Sequence, residues 1–60
     1  MRDALERQLT AVRARIRRLT DECALHRATG RNALADRLEE ELKKAQVECG
    51  HLEHLLRSAE

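Results

Sequence analysis

The sequence predicts an all-α protein, an antiparallel two-helix coiled-coil hairpin that dimerises into a four-helix bundle. Three observations support this fold class. The 60 residues contain no proline, no aromatic residue and only two glycines, a composition typical of long helices. Apolar residues recur every third or fourth position in both halves of the chain. The two repeats are out of phase around Gly30, which favours a turn there over one continuous helix.

The first element is a helix over residues 2–28. Its apolar residues follow alternating steps of four and three, which places their side chains on one face of the helix. This stripe consists of Leu5, Leu9, Val12, Ile16, Leu19 and Cys23, and His26 continues it.

A turn over residues 29–32 follows. Gly30 can adopt the left-handed backbone conformation that ends many helices. Asn32 is a good N-cap for the next helix, because its side chain can accept a hydrogen bond from the first turn. The sequence therefore places the reversal of the chain at Gly30 and Arg31.

The second element is a helix over residues 33–58. Gly50 lies inside its apolar repeat, and we interpret it as a helical residue that is tolerated at about 1 kcal/mol relative to alanine. A close approach of another backbone is the alternative role for Gly50. The stripe consists of Ala35, Leu38, Leu42, Ala45, Cys49, Leu52, Leu56 and Ala59.

Folding the chain at Gly30 brings the two stripes together as an intrachain seam. Beside it, we expect Arg15 to face Glu48 across the seam. Within the second helix we expect ion pairs between residues four apart, Glu39 with Lys43 and Glu53 with Arg57. The predicted seam is Leu5, Leu9, Val12, Ile16, Leu19 and Cys23 against Leu38, Leu42, Ala45, Cys49, Leu52 and Leu56, with Cys23 opposite Leu38 and Leu5 opposite Leu56.

Four large apolar residues lie off this seam, and we predict that they form a partner face: Leu25, Leu34, Val47 and Leu55. A seam of two helices barely offsets the conformational entropy of ordering the chain, and small scaffolds commonly stabilise themselves by association. We therefore expect a homo-oligomer, or another helical protein as partner. Outer alanines such as Ala4 and Ala11 would let a further helix approach closely, or they simply favour helix formation.

Cysteine and histidine are the residue types here that could bind zinc. Cys23, His26, His51 and His54 are candidates, but one hairpin holds them too far apart for a tetrahedral site. Only a dimer interface could bring them together. We predict no metal and no cofactor, and we interpret Cys23 and Cys49 as reduced thiols of a cytoplasmic protein.

Arg13, Arg15, Arg17 and Arg18 form a candidate basic patch, and RNA binding by a hairpin dimer is the alternative function that they indicate. They spread around the helix, however, and no aromatic side chain is present to stack on bases, so we expect no nucleic-acid partner. The chain lacks a glycine-rich loop and has Ser58 as its only serine, which argues against an enzyme. No apolar run reaches the ~20 residues of a membrane span.

The spacing around the turn resembles that of UVR-type helical hairpins, which are protein-interaction motifs of excision-repair proteins and Clp-type chaperone subunits. The resemblance implies a hairpin that docks against another hairpin. This sequence departs from the family at Asn32, where an aromatic residue is characteristic, and at His26, where a small residue is. Rab-effector hairpins are similar in their Gly-Arg turn, and they imply a small GTPase as an alternative partner. The residues that carry the UVR resemblance are Leu19, Cys23, His26, Ala35, Leu38, Leu42 and Ala45.

The sequence thus predicts a protein–protein interaction and oligomerisation module of a cytoplasmic scaffold. We expect residues 1–60 to form a single hairpin, which is either a very small protein or a fragment of a longer one.

Overall fold

Two helices joined by a short turn make up the structure, a computed structural model that describes residues 2–58. Ala59 of the predicted stripe lies outside the described residues. Helix α1 spans Arg2–Ala28 and helix α2 spans Asn32–Ser58. They pack against each other as an antiparallel pair measuring 45 × 14 × 11 Å. The predicted all-α helical hairpin is confirmed, with α2 beginning one residue earlier than expected. Over residues 2–58, neither helix combines the length and apolarity that crossing a bilayer requires.

The turn begins with a Schellman motif at the end of α1. Gly30 has a φ of +77°, in the left-handed region that costs other L-residues about 1–2 kcal/mol. The N–H of Gly30 donates to the carbonyl of Arg27 at 3.1 Å, and the N–H of Arg31 donates to the carbonyl of His26 at 2.8 Å. The Thr29 hydroxyl also donates to the His26 carbonyl, at 3.1 Å. These bonds satisfy carbonyls that the end of a helix would otherwise leave unpaired.

The N-cap of α2 is Arg31. Its carbonyl accepts the first hydrogen bond of the helix, from the N–H of Ala35 at 3.1 Å, and this bond defines the capping position. Asn32 is the first helical residue, so the prediction that Asn32 is the cap was wrong by one position. The reason is that Arg31 is both the last residue of the Schellman motif and the N-cap of α2. This double role shortens the turn to residues 29–31.

A single apolar seam holds the two helices together. All of the residues that the sequence placed in the seam are buried or half-buried. The buried cluster at its centre is Leu9, Val12, Leu19, Ala45 and Leu52, and Leu5, Ile16, Leu38, Leu42, Cys49 and Leu56 pack against it.

Near the turn the helices approach each other closely at Ala35, which has no exposed surface. The Cys23 thiol donates to the Ala35 carbonyl at 3.4 Å. Ala35 belongs to the apolar stripe of α2 but was left out of the predicted seam, in which Cys23 faced Leu38. A methyl side chain at this position lets the two backbones come within reach of a thiol, which a leucine would prevent.

Gly50 is an ordinary helical residue in α2. A Cβ atom placed on it would meet no atom within 4 Å. The close backbone approach that was the alternative role for Gly50 does not occur among residues 2–58.

Candidate interaction surface

The heptad pattern gives the hairpin two edges, one on each side of the seam. Residues directly after Val12 and Leu52 lie on one side, whereas residues directly before Ile16 and Leu56 lie on the other. We call these the charged edge and the leucine edge. The charged edge comprises Glu6, Arg13, Arg17, Arg27, Asp36, Glu39, Lys43, Glu53 and Arg57, and the leucine edge comprises Arg15, Arg18, Glu22, Leu25, Leu34, Arg37, Glu41, Lys44, Glu48 and Leu55.

The charged edge carries ion pairs from α1 to α2 near both ends of the hairpin. Arg13 Nη2 lies 3.0 Å from Glu53 Oε2. Arg27 Nη2 lies 2.8 Å from Glu39 Oε1 and 3.3 Å from Asp36 Oδ1. The hydrogen bonds to Glu53 and to Glu39 raise the pKa of Arg13 and of Arg27, respectively, above the ordinary arginine value. Arg13 and Arg27 are thus bound within the chain, whereas Arg17, on the outer side of this edge, is in no ion pair among residues 2–58.

Two of the ion pairs expected within α2 are not formed in the described residues, Glu39 with Lys43 and Glu53 with Arg57. Both carboxylates reach across the seam to an arginine of α1 instead. For Glu39, the planar guanidinium of Arg27 offers more donors in a fixed arrangement than the ammonium group of Lys43. For Glu53, Arg13 and Arg57 offer the same group, so the chemistry of the donor does not favour either. The predictions of these two pairs were wrong about the partner.

The leucine edge exposes three large apolar side chains. Leu34 is 43% exposed and Leu55 is 37% exposed, and both directly precede a seam residue of α2. Leu25 is 62% exposed and follows Glu22 by three residues, which places it on the same side of α1 as Arg15. Leu25 and Leu34 lie at the turn end of the edge, and Leu55 lies at the opposite end.

Between these apolar ends, the leucine edge carries exposed charges of both signs. Arg15 and Arg18 lie on α1, and Glu41 and Glu48 lie on α2. Within residues 2–58 none of the four takes part in an ion pair or a side-chain hydrogen bond. The expected pair between Arg15 and Glu48 is therefore not formed, although both residues lie on this edge.

Val47 stands apart from the other residues of the predicted partner face. It is 73% exposed and lies midway between the seam residues Ala45 and Cys49, so its side chain points away from α1. The structure therefore brings Leu25, Leu34 and Leu55 to one edge and leaves Val47 on the back of α2.

The arginines of the predicted basic patch also divide between surfaces. Arg13 belongs to the charged edge and binds Glu53, whereas Arg15 and Arg18 belong to the leucine edge. Arg17 lies four residues after Arg13, on the outer side of the charged edge. The four guanidinium groups do not form one continuous surface.

The candidate metal ligands are likewise spread along the hairpin. Cys23 is buried and Cys49 is half-buried, and both are free thiols. His26 is half-buried near the turn, while His51 and His54 are exposed in the last third of α2. Among residues 2–58, no three His, Cys, Asp or Glu side chains lie close enough together to hold one metal ion.

Comparison of the chain with models of protein families gives no match, and comparisons with curated proteins and with solved structures give none either. The resemblance to UVR-type hairpins therefore rests on residue spacing alone.

Proposed function

We propose that this hairpin is a protein–protein interaction module that self-associates through its leucine edge and so serves as the oligomerisation element of a cytoplasmic scaffold. One observation carries the proposal: exposed leucines and charged groups without ion pairs in residues 2–58 share one edge. On the opposite edge, Arg13 and Arg27 are bound to carboxylates of α2, and no leucine is exposed there among residues 2–58.

The small core of the hairpin supports this function. Among residues 2–58, Ala35 is the one core residue without exposed surface, and the large buried side chains are each 6–9% exposed. Chains of this size have too little buried apolar surface for high stability and commonly gain it by association. Removing Leu25, Leu34 and Leu55 from water would add apolar burial that a single hairpin lacks.

The test compares Leu55→Asp with Val47→Asp, each of which introduces one carboxylate at an exposed apolar position of α2. We expect Leu55→Asp to raise the concentration at which the chain associates by at least about tenfold, equivalent to ~1.4 kcal/mol. Val47→Asp should leave that concentration unchanged, because Val47 lies outside the leucine edge. Sedimentation velocity over a concentration series measures the association, and circular dichroism measures the helix content of each variant.

Leu34→Asp extends the test to the other end of the edge. It should weaken association as Leu55→Asp does, since both residues belong to one surface. Equal association of the wild-type chain and of both leucine variants would overturn the proposed function. So would a wild-type chain that keeps the mass of one hairpin at millimolar concentration.

A further inference from the structure

We draw no further inference here: the strongest candidate, the exposed apolar patch of the leucine edge at Leu25, Leu34 and Leu55, belongs to the surface already described, and nothing in the structure shows what covers it.

Discussion

The two edges of this hairpin flank the same seam but differ in whether their arginines form ion pairs across it. On the charged edge, Arg13 and Arg27 bind carboxylates of the opposite helix at 3.0 and 2.8 Å. On the leucine edge, Arg15 and Arg18 bind no carboxylate among residues 2–58, and leucines stand exposed beside them. The comparison teaches that the two arginines beside the seam are bound to α2 on one edge, whereas on the other edge they are not and leucines are exposed.

This difference follows from which residues border the seam on each side. On α2, the charged edge has acidic residues beside the seam near both of its ends. The leucine edge has Leu34 and Leu55 at those places, with two glutamates between them. Leu34 and Leu55 offer no carboxylate at the two ends of this edge. Between them, Arg15 and Arg18 form no ion pair with Glu41 or Glu48 among residues 2–58.

The largest expected effect comes from breaking the seam that both edges share. Leu19 is 6% exposed within the buried cluster, and Leu19→Asp would bury a carboxylate without a partner at a cost of several kcal/mol. We expect this variant to lose its helical circular dichroism and its association together. A variant that keeps wild-type helicity would contradict the position of the seam.

Alanine substitution should change the stability of the hairpin in opposite directions at Gly30 and at Gly50. Gly30→Ala should destabilise the hairpin by about 1–2 kcal/mol, because alanine is strained at positive φ. Gly50→Ala should stabilise it by about 1 kcal/mol through helix propensity, since a Cβ there meets open space.

Thermal denaturation of both alanine variants at one protein concentration measures the two effects. Holding the concentration constant matters because association itself raises the melting temperature. A melting temperature that falls in both variants would show that Gly50 has a packing role.

Charge reversal on the leucine edge should act on association and spare the single hairpin. Arg15→Glu adds a carboxylate to the leucine edge, where Glu41 and Glu48 already lie, and we expect the dissociation constant of self-association to rise several-fold. Combining it with Glu48→Arg restores the number of charges of each sign on this edge and should restore association. Arg17→Glu makes the same change in net charge off this edge and should have no effect.

Sedimentation equilibrium of these charge variants measures the dissociation constants. If Arg17→Glu weakens association as much as Arg15→Glu does, then net charge rather than the leucine edge controls it, and the comparison of the two edges fails.

The smallest effect is expected on the charged edge. Arg13→Ala removes an exposed ion pair, so the free energy of unfolding should fall only slightly. Association should be unchanged because this edge faces away from the second copy. Urea denaturation of Arg13→Ala, Glu53→Ala and the double variant gives the coupling energy of the pair, which should decrease in high salt. A coupling energy of zero would show that the pair adds nothing to the hairpin.

The helical hairpin was predictable from sequence because two long apolar repeats and one glycine between them leave few alternatives. The repeat placed residues such as Leu9 and Leu52 on facing stripes, and Gly30 located the reversal. The N-cap was harder to assign. Asn32 has the better capping side chain, but the hydrogen bond from the N–H of Ala35 to the carbonyl of Arg31 makes Arg31 the N-cap of α2.

The ion pairs could not be predicted in the same way. Glu39 and Glu53 each have a basic residue four positions later and an arginine across the seam, and exposed pairs of either kind differ by only a few tenths of a kcal/mol. Spacing along one helix therefore cannot choose between them. Ala35 was recognised in the stripe of α2 but left out of the seam, because the predicted register placed Cys23 opposite Leu38, whereas the Cys23 thiol contacts the Ala35 carbonyl.

The most direct test of the central claim is the solution mass of the unmodified chain. Sedimentation equilibrium under reducing conditions, which prevent disulfide formation through Cys23 or Cys49, should give twice the mass of one chain at micromolar to millimolar concentration. A highly helical chain that keeps the mass of one hairpin throughout this range would contradict the claim that the leucine edge is a contact surface between two copies.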